Sequence, residues 1–276
     1  MARVKLGACD WALPGNGLYA TRIAHDVGLQ ALSLRIGLKE NDYPLTRSTM
    51  QRIYLDEQQR WGIEYVAVAL NDFDNIPMHA SPGGEDYETV WRLLAKAPST
   101  AKALDASIVQ VPAFGASAIT NEEEMERAAA ALHHLCREAG ELGLSVASEN
   151  TLSPEDFKEL HERVESDNFY LYFDSQNYYL NHGWDEVEIL ASLYPLMCDQ
   201  LHVKDGAGHL SGSLLGEGDA GLFDTMAWLD RHDYRGYVLL ENYYDVWPLR
   251  AVMDDPYDIL RRDVEILKDT VAKWRK

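Results

Sequence analysis

The chain has 276 residues, 46% of them hydrophobic and 10% aromatic, enough to bury a sizeable core and too apolar for a disordered segment. Its 45 acidic residues outnumber 25 basic ones, giving a formal net charge of −20. Nucleic-acid affinity depends on cations that neutralise phosphates, so this balance argues against a nucleic-acid partner and equally against an anionic membrane surface.

Arg3–Cys9 reads as a first strand, with Asp10 and Trp11 at its C-terminal end, and a helical pattern follows to Gly28. Ala31–Gly37 is a second strand carrying Arg35 near its end, and Arg47–Gly62 a helix that stops at glycine. Ile63–Leu70, rich in β-branched residues, is a buried strand. A long polar loop, Asp72–Asp86, leads to a helix over Tyr87–Asp105 and a strand over Ser107–Phe114. Asn121 with Glu124 three residues on predicts an N-cap for a helix running to Gly143. Leu144–Asn150 is the fifth strand, and Ser153-Pro154-Glu155 starts the helix that leads to a sixth over Phe169–Asn177. Trp184–Tyr194 crosses to the strand Cys198–Gly206. A glycine-rich loop to Gly221, a helix Leu222–His232, a strand Gly236–Tyr244 and an amphipathic helix Asp254–Trp274 complete the chain.

Strict alternation of strands and helices implies a parallel sheet, and eight units imply closure. The expected fold is therefore an α/β (β/α)8 TIM barrel, spanning 1–276 as one domain and matching the ~250 residues typical of that fold. The cysteines Cys9, Cys136 and Cys198 form neither a disulfide framework nor a Cys-x-x-Cys zinc site. The opening Met-Ala-Arg-Val-Lys-Leu-Gly lacks a signal-peptide apolar region, and no run approaches the ~20 apolar residues of a membrane span. A cytoplasmic protein is expected, either monomeric or a homo-oligomer.

The last four strands share a feature. Each finishes in a metal-capable residue: Glu149, Asp174, His202 and Glu241. In a barrel of this class functional groups collect at C-terminal strand ends, so four successive ends predict one site. Three carboxylates and an imidazole suit one divalent ion, Mn²⁺, Mg²⁺, Co²⁺ or Zn²⁺. Period-two alternation turns Cys198, Gln200 and Lys204 to the same side as His202, which places Lys204 at the mouth as a substrate contact. Arg35, Asn150 and Asn177 are further candidates for binding hydroxyls, and Trp11 and Tyr243 for packing against a sugar ring.

Glu149 in Ser-Glu-Asn, Asp174 in Tyr-Phe-Asp-Ser and His202 in Leu-His-Val-Lys-Asp carry a resemblance, together with Leu-Gly-Glu-Gly-Asp at 215–219 and Glu241 in Leu-Leu-Glu-Asn. The chain resembles the xylose isomerase-like sugar phosphate isomerase/epimerase superfamily, which includes the ketose 3-epimerases. The resemblance implies a (β/α)8 barrel with one divalent metal on these four residues, and in the ketose 3-epimerases the glutamates matching Glu149 and Glu241 also move the proton. Two departures stand out. Asn177 occupies a position where those epimerases carry histidine, and no arginine follows His202 until Arg231, leaving Lys204 as the nearest cation. Asp219-Ala220-Gly221 offers no Asp-x-His, which argues against a multi-metal DNA repair enzyme.

The expected activity is metal-dependent isomerisation or epimerisation of a small keto-sugar or sugar derivative. The alternatives are a metal-dependent lyase or dehydratase using the same proton abstraction, and a sugar-binding protein that keeps the metal without turnover.

Overall fold

The structure is a computed structural model that describes residues 3–274. Its strands are β1 (Val4–Cys9), β2 (Ala31–Arg35), β3 (Glu64–Ala69), β4 (Ile108–Pro112), β5 (Ser145–Glu149), β6 (Phe169–Asp174), β7 (Met197–Val203) and β8 (Gly236–Leu240). Its α-helices are α1 (Leu18–Asp26), α2 (Ser48–Trp61), α3 (Glu85–Ala103), α4 (Glu122–Gly140), α5 (Pro154–Val164), α6 (Asn177–His182), α7 (Glu186–Leu193), α8 (Leu222–Arg231) and α9 (Pro256–Ala272). The strands follow one another in chain order and close as a barrel, β1 pairing with both β2 and β8 in parallel. This is the expected (β/α)8 architecture.

By packing, the described residues form two compact units, one of 3–33, 57–64 and 173–274 and the other of 34–56 and 65–172. In the first unit β1 runs beside β8 from Val4↔Gly236 to Ala8↔Leu240, and β7 beside β8 from Gln200↔Tyr237 to Val203↔Leu240. Gly236 starts β8 with φ 143, and a Cβ there would lie 2.0 Å from the Asp199 carbonyl oxygen, so only glycine lets β8 begin against β7. The stripe Ile259, Leu260, Val264 and Leu267 of α9 is buried, as its spacing predicts.

In the second unit every residue of β4, Ile-Val-Gln-Val-Pro, is buried, as expected of a parallel strand covered on both faces. β4 pairs with β5 from Ile108↔Ser145 to Pro112↔Glu149, and β5 with β6 through Val146↔Phe169. The capping of α4 is as its sequence predicts: the Asn121 side chain accepts the Glu124 N–H at 3.1 Å. Ser153 caps α5 in the same way, with Pro154 at its first position.

Several expected elements differ in extent: β7 ends at Val203, not Gly206, and β8 at Leu240, not Tyr244. β6 ends at Asp174, not Asn177, because the Asp174 carboxylate accepts the Gln176 and Asn177 N–H groups at 2.8 and 2.9 Å and turns the chain into α6. The expected crossing helix over Trp184–Tyr194 narrows to α7, whose start is fixed by Asp185 accepting the Val187 and Glu188 N–H groups.

Candidate active site

Within the first unit, β6, β7 and β8 each deliver one metal-capable side chain. Asp174 is the last residue of β6, His202 the penultimate residue of β7, and Glu241 follows β8 directly. All three are buried, His202 completely. Each presents a ligand atom, and these atoms lie within 4.8 Å of one another.

The imidazole is oriented from both sides. Cys9 Sγ at the end of β1 lies 3.1 Å from His202 Nε2, while Nδ1 lies 3.4 Å from Glu241 Oε2. The Trp11 ring stands edge-on to His202 with centroids 5.9 Å apart, and Trp11 Nε1 donates to Glu241 Oε1 at 3.0 Å. Lys204, just beyond β7, places Nζ 3.3 Å from Asp174 Oδ2 and also donates to Glu241. Burial alone would raise the Glu241 carboxyl, but the charges of His202 and Lys204 hold it well below the usual carboxylate range. Glu241 is therefore an ionised acceptor over the whole physiological range.

The chain around these residues is pinned by two further acids. Asp263 of α9 accepts from Leu215 N at 2.8 Å, Asn242 Nδ2 at 2.7 Å and the Tyr244 hydroxyl at 3.1 Å, so it fixes the backbone on the C-terminal side of Glu241. Its burial pushes its carboxyl up to about 6 in spite of those donors. Asp205 gathers the Leu-Gly-Glu-Gly-Asp loop, accepting from Gly206 N at 2.9 Å, Gly216 N at 2.8 Å and Gly218 N at 3.3 Å. Burial raises the Asp205 carboxyl as well, against the pull of those backbone donors. The glycines of that motif thus have a physical reason: a Cβ on Gly218 would sit 2.2 Å from Asp205 Oδ1.

In the second unit Glu149 ends β5, buried, with Gln110 Nε2 donating to its Oε2 at 2.7 Å. Arg35 ends β2, half-buried. Asn150 directs its amide into its own turn, donating to Ser148 Oγ at 3.2 Å and accepting from Leu152 N at 3.1 Å. In the first unit Asn177 meets Asp174 through its backbone N–H at the head of α6, and Tyr243 is half-buried two residues past Glu241. Cys198 is packed in the interior, its Sγ against the Gln200 carbonyl, with its thiol raised by burial, and it does not serve as a nucleophile. Sequence reasoning missed Cys9, Gln110, Asp205 and Asp263. Asp205 alone had a visible signal, its place directly after Lys204 and before a glycine-rich loop.

Residues 22–270 match the model of the xylose isomerase-like TIM barrel family. The chain belongs to that family. It is 32% identical over 247 residues to a 2-epi-5-epi-valiolone 7-phosphate 2-epimerase from Actinoplanes sp., covering 87% of this chain and 88% of that relative. Its fold is similar to that of D-allulose 3-epimerase from Methylomonas sp., with a TM-score of 0.75 at 16% identity over 98% of this chain and 100% of the other. It is equally similar to an IOLI protein solved with a zinc atom, with a TM-score of 0.75 at 17% identity over 99% of each chain.

Two carboxylates and an imidazole converging in a buried place form a donor set that fits a divalent cation. Among described residues no helix is long and apolar enough to cross a membrane.

Proposed function

We propose that the protein is a divalent-metal-dependent epimerase or isomerase of a small keto-sugar or keto-polyol derivative, acting through the whole chain as one domain. The observation that carries this reading is the convergence of Asp174, His202 and Glu241, with ligand atoms within 4.8 Å, in a chain that shares 32% identity with a named epimerase. Glu149, buried at the end of β5, is proposed as the fourth ligand. The ion is Mn²⁺, Mg²⁺, Co²⁺ or Zn²⁺, and it supplies Lewis-acid polarisation of a substrate carbonyl.

The chain's own groups do the rest. Glu149 and Glu241 form the proton-transfer pair: one removes the proton from the carbon beside the carbonyl, and the other returns a proton to the opposite face, inverting the centre. Trp11 and Lys204 hold both Glu241 oxygens and so aim that carboxylate. Lys204 is the substrate's cationic contact, and it moves from the Asp174 and Glu241 carboxylates toward substrate oxygens when these arrive. Arg35, Asn150 and Asn177 are proposed to bind hydroxyls, with Trp11 and Tyr243 as the flat walls.

The deciding experiment is proton NMR in D₂O with metal-loaded protein and a panel of ketoses, keto-glycosides and keto-cyclitols, each with and without phosphate. The phosphorylated members are included because the Actinoplanes relative is named for a 7-phosphate. Loss of the signal beside the carbonyl together with a new epimer supports the reading. Binding of ligands without exchange in any member of the panel would overturn it in favour of a sugar-binding protein.

A further inference from the structure

The oxygen-rich ligand set leaves Cys9 unused. This cysteine ends β1 with no exposed surface, and its sulfur lies 3.1 Å from Nε2 of His202, whose Nδ1 lies 3.4 Å from Glu241 Oε2. Cys9, His202 and Glu241 also form a trio of their own, each offering one ligand atom within 4.8 Å of the other two. A thiolate, an imidazole and a carboxylate are the donors that zinc takes, with a fourth place for water. The thiolate sets this trio apart from the catalytic set of Glu149, Asp174, His202 and Glu241.

We propose that Cys9, His202 and Glu241 constitute a second metal position, selective for thiophilic ions such as Zn²⁺, which competes with the catalytic position for His202 and Glu241. The inference deepens the metal reading above and rests on it. Zinc bonds of about 2.3 Å to sulfur and about 2.0 Å to nitrogen, set near the tetrahedral angle, ask for roughly 3.5 Å between the two donors. The observed Sγ–Nε2 separation is 3.1 Å, so binding needs an opening of about half an ångström.

The chemistry balances without a redox partner. The Cys9 S–H bond breaks, its proton passes to solvent, and the sulfur lone pair forms the bond to zinc. Thiolate ligation favours zinc over manganese or magnesium, for which carboxylate and water suffice. An ion held toward β1 leaves Asp174 outside its ligand set, still paired with Lys204. The zinc form is therefore a misplaced-metal form of the enzyme, reversible by chelation, and Cys9 makes turnover sensitive to the ratio of zinc to hard cations.

Cobalt(II) is the probe, because thiolate ligation gives it an intense near-ultraviolet charge-transfer band that oxygen and nitrogen ligands do not. The metal-free full chain, titrated with Co²⁺, should develop that band, and Cys9→Ser should lose it. In competition with a chromophoric chelator, Cys9→Ser should weaken Zn²⁺ binding by about tenfold or more, while Mn²⁺ affinity, read from the EPR signal of the free ion, stays within about threefold. Cadmium NMR of the wild type gives a reading that needs no variant: a shift typical of a sulfur ligand is expected. Absence of both the cobalt band and the sulfur-type cadmium shift, with Mn²⁺ still bound, overturns this proposal and leaves the catalytic metal reading intact. Equal weakening of zinc and manganese in Cys9→Ser overturns it too, as packing damage to His202. A wild type that takes up no ion at all overturns both.

Discussion

Lys204 holds its ammonium nitrogen 2.5 Å from Glu241 Oε2, inside a site where both side chains are almost completely buried. Asp174 shares the same ammonium, so a single cation faces two carboxylates. Removing it from the metal-free protein would take the nearest ammonium from two buried carboxylates and leave Glu241 to His202, a loss of about 3–5 kcal/mol. Lys204→Met should therefore melt well below wild type in a chelator, and saturating metal should recover most of the difference. Turnover should stay down by about 10²-fold with metal restored, since the substrate's cationic contact is gone. Calorimetry with and without metal, plus metal analysis near one ion per chain, tests both halves. Failure of Lys204→Met to bind metal would make Lys204 part of the metal's support, not a substrate contact.

His202 is the one neutral donor in the proposed set, and its ring is held by contacts on both nitrogens. His202→Ala removes a ligand and opens a polar void, and metal content should drop from about one per chain to near zero. Unchanged content, measured by elemental analysis after dialysis, is the result that sinks the site.

The two glutamates separate by role. Glu149→Gln and Glu241→Gln should each abolish epimerisation, because inversion needs a base on one face and an acid on the other. One of the two is expected still to exchange deuterium into substrate with retention, since removal and return on a single face need only one carboxylate. Wild-type turnover in either variant would refute the pair.

How much of this was legible follows from which interactions are local. The eight strands were readable because buried parallel strands are apolar runs, and the functional acids because they sit where those runs stop. The end of β6 was misplaced at Asn177 because the capping role of Asp174 depends on backbone N–H groups that pattern alone does not count, and the aromatic pair Tyr178-Tyr179 prolongs a strand-like composition into α6. Cys9 was passed over for another reason. Its contact with His202 joins β1 to β7 across 193 positions, and no periodicity within either strand carries that information. Asp263 is likewise a polar residue on the apolar stripe of α9, and its partners Leu215, Asn242 and Tyr244 come from two other loops.

Asp263 gives stability a pH signature. Burial pushes its carboxyl up to about 6 in the fold from an ordinary 3.8, so between those values the folded chain holds a proton that the unfolded chain has lost. The stability this group contributes is fully present below about pH 4 and is lost as the pH rises through about 6. A difference of roughly 2 units corresponds to about 3 kcal/mol. Asp263→Asn does not titrate. The stability of wild type relative to Asp263→Asn should thus decline by about 3 kcal/mol from pH 4 to pH 7, read from urea melts at each pH. A flat or rising difference would mean that Asp263 is ionised throughout.

Asp205 and Gly218 test whether the loop over the site is built around one carboxylate. Asp205 accepts N–H groups from Gly206, Gly216 and Gly218, and at 3.5 Å from Ala220, so the loop's backbone donors converge on a buried side chain. Alanine at 218 would put its Cβ 2.2 Å from Asp205 Oδ1 and 2.6 Å from Gly206 N, closer than any real contact allows. The carboxylate cannot retreat without abandoning Gly216 and Ala220, so the loop must lift instead. Gly218→Ala should cost about 1–3 kcal/mol and speed amide exchange across 215–220, while metal content stays near one because Asp174, His202 and Glu241 are not in that loop. Turnover should fall with the loop's order, chiefly through KM if the loop only encloses substrate and through kcat if it also positions Lys204 beside Asp205. Unchanged exchange at Gly216, Gly218 and Ala220 in the variant would show that Asp205 does not organise the loop, and the glycines of Leu-Gly-Glu-Gly-Asp would then need another explanation.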